Sequence, residues 1–129
     1  MDRHERCVLL VEDERFLRKA AETSLRRPGF TVLIASDGEE AVRVARESRP
    51  DLVLLGMIMP RLQGFEVLRI LKSDPATADI PIVVLSNLGQ SGDVQQAMEG
   101  GAAGYFVKAN ISLTQLADRV DQSLAAISV

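Results

Sequence analysis

One cysteine, Cys7, and one histidine, His4, are all the chain carries of the residue types that most often build disulfides and soft-metal sites. A single cysteine excludes an internal disulfide. Set in the apolar run CVLLV, Cys7 reads as a buried, inert thiol. His4 lies in a polar terminal segment and reads as solvated, not as a metal ligand. Basic residues are also in short supply: 15 Lys plus Arg face 18 Asp plus Glu, for a net charge of −3 and a pI near 5.2. A nucleic-acid surface needs a basic patch, so DNA contact is expected only from a part outside this chain. No apolar run approaches the ~20 residues that cross a bilayer. The segment MDRHER lacks the apolar core of a signal peptide. A cytoplasmic protein with no membrane contact is therefore expected. Internal repeats, low-complexity tracts and linkers are missing too.

What is present suits one globular domain. The chain has 129 residues, 47% hydrophobic and 26% charged, enough for a single core. The expectation is one domain over 1–129 with its core at about 7–124. Short apolar runs alternate with amphipathic segments. CVLLV, Cys7–Val11, predicts a buried strand. Phe16, Leu17, Ala20, Ala21, Ser24 and Leu25 recur at helical spacing and predict a first helix, ended by Arg27-Pro28-Gly29. Phe30–Ala35 predicts strand two. Ser36 or Asp37 can cap a second helix that ends near Ser48, before Pro50. Leu52–Leu55 predicts strand three, entered through Asp51, and a loop with Pro60 and Gly64 leads to a helix over Phe65–Lys72. Ile80–Leu85 predicts strand four. A weaker helix near Asp93–Glu99 stops at Gly100-Gly101. Tyr105–Val107 predicts strand five, and Leu113, Leu116, Ala117, Val120 and Leu124 a last helix. Near-continuous apolar strands between amphipathic helices imply a doubly wound, five-stranded parallel sheet covered on both faces, a three-layer α/β/α architecture.

In such sheets ligands bind beyond the carboxyl ends of the strands. After strand one come Glu12, Asp13 and Glu14, a hard oxygen set suited to magnesium. Gly56 follows strand three, Ser86 strand four and Lys108 strand five. A hydroxyl and an ammonium are both donors suited to phosphoryl oxygens. Taken singly, each reads as an ordinary loop, cap or surface residue; the signal is their shared position at one edge of one sheet.

LLVEDE, DLVLLGMIMP, GFEVL, VVLSN and GYFVK resemble the ordered motifs of response-regulator receiver domains of two-component systems, from about Cys7 to Leu124. The resemblance implies a flavodoxin-like receiver fold and a role in phosphorelay signalling. It implies that Glu12, Asp13 and the backbone carbonyl of Ile58 hold magnesium. It assigns Ser86 and Lys108 to the phosphoryl-binding pocket, and Ser86 with Tyr105 to the conformational switch. Its implied partners are a sensor histidine kinase or another signalling protein, with an effector domain outside the chain.

The chain departs from the family at strand three. There the phosphoacceptor aspartate is expected, and the run Asp51-Leu52-Val53-Leu54-Leu55-Gly56 has glycine. MIMP and GFEVL hold the register. Glycine has no side chain to attack phosphorus, so no catalytic residue is expected. Asp51 lies roughly 16 Å away at the other end of the strand. Losing one acid relieves repulsion, weakens magnesium binding and leaves Lys108 able to pair with Asp13. A strand glycine costs on the order of 0.5–1 kcal/mol, which leaves the net sign open. Ala109 follows the lysine where many receivers have proline, so a trans bond is expected there. The predicted fourth helix has no basic residue, while Asp118 and Arg119 remain on the fifth. The symmetric dimer built on charged pairs across this face is therefore not expected, and the chain reads as a monomer or weak dimer.

Three functions compete. One is a phosphorylation-deficient receiver acting by protein contact. Another is an ordinary phosphoaccepting receiver whose acceptor was substituted in this version. The third is a flavodoxin-like or phosphatase-like enzyme, which the fold permits. Against it, VEDERF after strand one lacks the glycines or hydroxyls that cradle phosphate.

Overall fold

The computed structural model describes residues 6–56, 64–86, 91–108 and 112–128, leaving aside the side chains of 91–93 and 126–128. The strands are β1 Cys7–Val11, β2 Thr31–Ala35, β3 Leu52–Gly56, β4 Ile82–Ser86 and β5 Gly104–Val107. The helices are α1 Arg15–Arg26, α2 Gly38–Ser48, α3 Gly64–Ser73, α4 Ser91–Glu99 and α5 Leu113–Ser128. All strand pairs are parallel and the sheet order is β2-β1-β3-β4-β5. This is the doubly wound sheet expected from the alternating pattern.

Period-two alternation divides the strands between two cores. Leu9, Val11, Val53, Leu55, Ile82 and Val84 face one way, against Ala41 and Ala45 of α2, Val67, Leu68 and Leu71 of α3, and Ala97 of α4. Val8, Leu10, Leu52, Leu54, Val83 and Leu85 face the other way, against Ala21 and Leu25 of α1 and Leu116, Val120 and Leu124 of α5. β3 is buried along its whole length, as the middle strand of five must be. β5, at the edge, is only half-buried.

Local chemistry sets the element ends. Asp37, not Ser36, caps α2, accepting from the Glu40 N–H at 2.9 Å. Arg49 closes α2 in the left-handed region before Pro50. β4 starts at Ile82, two residues later than the apolar run predicts. The Ile80 N–H is committed to a turn, donating to the Thr77 carbonyl, and Pro81 has no N–H to give a ladder. Ser86 is the last residue of β4 and Gly56 the last of β3, not the residues that follow. Two positions read as apolar interior are corrected. Phe16 is 83% exposed, because it opens α1 at the rim, outside the stripe formed by Ala21 and Leu25. Cys7 is half-buried rather than enclosed, since it begins its strand.

Candidate functional site at the carboxyl edge of the sheet

The chain winds outward from β1 to β2 and then crosses to β3 on the other side. β1 and β3 therefore flank the switch point, and their carboxyl ends open the cleft. Register decides what meets there. Val11 pairs with Leu55, so Glu12 stands beside Gly56. Gly56 pairs with Leu85, and Ser86 with Val107, which brings Ser86 and Lys108 to the same rim.

The three acids after β1 have three different fates. Glu12 turns inward and is 4% exposed. Its Oε1 accepts from Lys108 Nζ at 2.8 Å, and its Oε2 accepts from the Glu14 N–H at 3.2 Å. Asp13 is exposed. Glu14 is the N-cap of α1, its carboxylate accepting from the Phe16 and Leu17 N–H groups at 3.1 and 2.7 Å. The expected Lys108–Asp13 pair is thus replaced by Lys108–Glu12. Successive residues leaving a strand point to opposite sides, and Glu12, not Asp13, faces the ammonium. The pair is well shielded, with side chains 20% and 5% exposed. Removing one partner of such a pair costs ~3–5 kcal/mol, because the other charge stays buried and uncompensated.

Sequence reasoning missed Arg18. Its Nη1 donates to the carbonyls of Glu12 at 3.0 Å and Asp13 at 3.2 Å, tying the acidic loop back to α1. The signal was available: helical side chains lean toward the N-terminus, and Arg18 stands one turn after the capping Glu14.

Gly56 is buried in extended backbone. A Cβ there would lie 3.1 Å from the Val11 carbonyl oxygen and 3.5 Å from Glu12 Oε1. Ser86 is 3% exposed. Tyr105 is half-buried and packs on the core shared by α2, α3 and α4. Asp51 lies at the far end of β3, where its Oδ2 accepts from the Cys7 N–H at 2.6 Å. That carboxylate stiffens the start of β1 and is far from the cleft. It also acts with burial on the Cys7 thiol: desolvation first, then the Asp51 charge, push the thiol upward and keep it protonated.

A divalent cation needs several free oxygens. Both oxygens of Glu12 are engaged, and among the described residues no three Asp, Glu, His or Cys side chains form a group able to hold a metal ion. Among the described residues, then, magnesium finds no ready-made set of side chains. The expected Ile58 ligand, His4 and the Lys108–Ala109 bond lie outside the described residues. Among those described, no helix is long and apolar enough to cross a membrane.

Comparison with known proteins agrees with this architecture. The receiver domain of a signal transduction histidine kinase from Syntrophus aciditrophicus superposes with a TM-score of 0.83 at 30% identity, covering 94% of this chain and 91% of that one. A sensor histidine kinase receiver domain from Pseudomonas aeruginosa, with magnesium coordinated in its active site cleft, gives 0.84 at 27% identity and covers 93% and 98%. Among curated proteins, a probable transcriptional regulator ycf27 of Guillardia theta is 42% identical over 101 residues, 78% of this chain and 39% of its own length. The Streptomyces coelicolor transcriptional regulatory protein AfsQ1 is 40% identical over 101 residues, 78% of this chain and 44% of its own length. The chain thus spans less than half the length of these relatives. The response regulator receiver domain model matches residues 8–121, so the chain belongs to the response regulator receiver domain family of two-component signalling.

Proposed function

We propose that this receiver signals by protein contact and does not pass through an aspartyl phosphate. One observation carries the reading: Gly56 ends β3 at the switch point, where the resemblance puts the phosphoacceptor, and it offers no side chain to phosphorus. Ser86 and Lys108 would form the phosphoryl-binding pocket around that position, and Ser86 with Tyr105 the switch. Here they shape a cleft without a nucleophile, and the chain has no catalytic turnover. Its partners are a sensor histidine kinase or another cytoplasmic signalling protein, met through the face of α4, β5 and α5 with Tyr105 at its centre. Tyr105→Ala is expected to weaken that contact. DNA contact, where longer relatives make it, belongs to segments outside this chain. The protein acts as a monomer or weak dimer, and magnesium binds weakly at Glu12, Asp13 and the Ile58 carbonyl.

Incubation with acetyl phosphate or a cognate kinase tests the main claim by mass spectrometry. No acid-labile phosphoryl adduct is expected, and a stable one overturns the proposal. A second reading has support in the retained Asp13, Ser86 and Lys108: an ordinary receiver whose acceptor was exchanged for glycine. Under it, Gly56→Asp binds beryllofluoride with magnesium; failure to do so removes it.

A further inference from the structure

The carboxylate of Glu12 lies against the space that a side chain at position 56 would enter. A Cβ on Gly56 would be 3.5 Å from Glu12 Oε1 and 3.8 Å from its Cδ. Those are ordinary contact distances for a Cβ, and they put the Glu12 carboxylate beside any side chain at this position. Oε1 is also the atom that takes Lys108 Nζ, 96 residues away in sequence. We propose that Glu12, reaching in from the end of β1, supplies the negative charge that position 56 lacks. It is the built-in counter-ion of Lys108 and holds the cleft together without a divalent cation.

The charge count explains why. Converging carboxylates repel one another and need a cation between them. Here, among the described residues, one buried carboxylate meets one ammonium. Asp13 faces solvent, and Arg18 secures the carbonyls of Glu12 and Asp13 from α1. An incoming magnesium ion would have to take Glu12 away from both the Lys108 ammonium and the Glu14 N–H. It would gain no third acid among the described residues in return. The arrangement depends on glycine, because an acid at position 56 would compete with Glu12 for Lys108. The inference rests on the reading of position 56 given above, but it fails by a different measurement.

That measurement is thermal unfolding of the full chain with and without millimolar magnesium. The unaltered chain is expected to shift by no more than about 1 °C, whereas Gly56→Asp, with a second carboxylate in the cleft, rises by several degrees. Glu12→Gln is expected to lower the melting temperature by several degrees in the unaltered chain. In the Gly56→Asp background it should cost clearly less, because the new acid takes over Lys108. Three contrary results each overturn the inference: a magnesium-dependent rise of several degrees in the unaltered chain, a Gly56→Asp chain as indifferent to magnesium as its parent, or an equal cost of Glu12→Gln in both backgrounds. If Glu12→Gln does not fold, the magnesium comparison decides alone. A phosphoryl adduct on the unaltered chain would sink the reading of position 56 and leave the magnesium result standing.

Discussion

At the scale of single residues, neighbours with the same chemistry end in different environments. Glu12, Asp13 and Glu14 look alike in the sequence. One becomes a buried ion pair, one stays in water and one caps a helix. Their presence as an acidic set was legible, but their division of labour was not, because it follows from which way each side chain leaves the strand. Gly101 is a case where the sequence showed the residue and only the backbone showed its necessity. It reads as a helix stop after α4. In the structure its φ is +104°, and a Cβ would lie 3.1 Å from Lys72 Cγ. Lys72 cannot readily yield, since its ammonium donates to the Ala78 and Ile80 carbonyls at 3.0 and 2.7 Å. Burial pushes that ammonium below its usual range, partly opposed by Asp79. Gly101→Ala is expected to cost about 1–2 kcal/mol of stability from the left-handed backbone alone. Urea unfolding checks it, and an unchanged midpoint would contradict the backbone argument.

At the scale of elements, periodicity located every strand and helix but misplaced some ends. Hydrophobic pattern reports burial, and burial does not stop where the ladder stops. Ile80 is buried yet belongs to a turn, so β4 begins after it. Phe16 has the right spacing for the α1 stripe and the wrong place, at an open helix end. Caps were more legible, because a short polar side chain before an amphipathic run has one clear use. Asp37 is that case. Asp37→Ala should destabilise the protein by about 0.5–2 kcal/mol, with Asp37→Ser recovering most of the loss. Thermal unfolding of both variants measures this, and equal losses would point to a contact other than the cap.

At the scale of the whole molecule, polar links among the described residues tie distant elements together at the end of the sheet opposite the cleft. Arg46 of α2 donates to Asp74 at 2.7 Å, and Arg49 donates to Asp79 at 3.0 Å. Exposed pairs of this kind contribute little individually. Asp74 is nonetheless held below the usual carboxylate range, first by the Ala76 N–H and then by Arg46. Its folded pKa is therefore lower than its unfolded one. The unfolded state takes the proton first as pH falls below about 4. Asp74 thus contributes its full stability above the ordinary carboxylate pKa and loses it as pH falls through the depressed folded value. Asp74→Asn should flatten that part of the acid limb of a stability–pH curve. A slope equal to that of the unaltered chain would assign the limb to other carboxylates.

The fold was determined by the sequence alone, because alternating apolar runs and amphipathic helices leave few ways to bury both faces of a parallel sheet. The carboxyl-edge residues were legible for the same reason: topology brings strand ends together whatever the details. Which acid would meet Lys108 was decided only in three dimensions. The pairing of Val11 with Leu55 sets Glu12 beside a residue with no side chain. The half-buried Lys108 ammonium then takes the carboxylate that reaches it without solvent between them, and sequence spacing does not encode that distance.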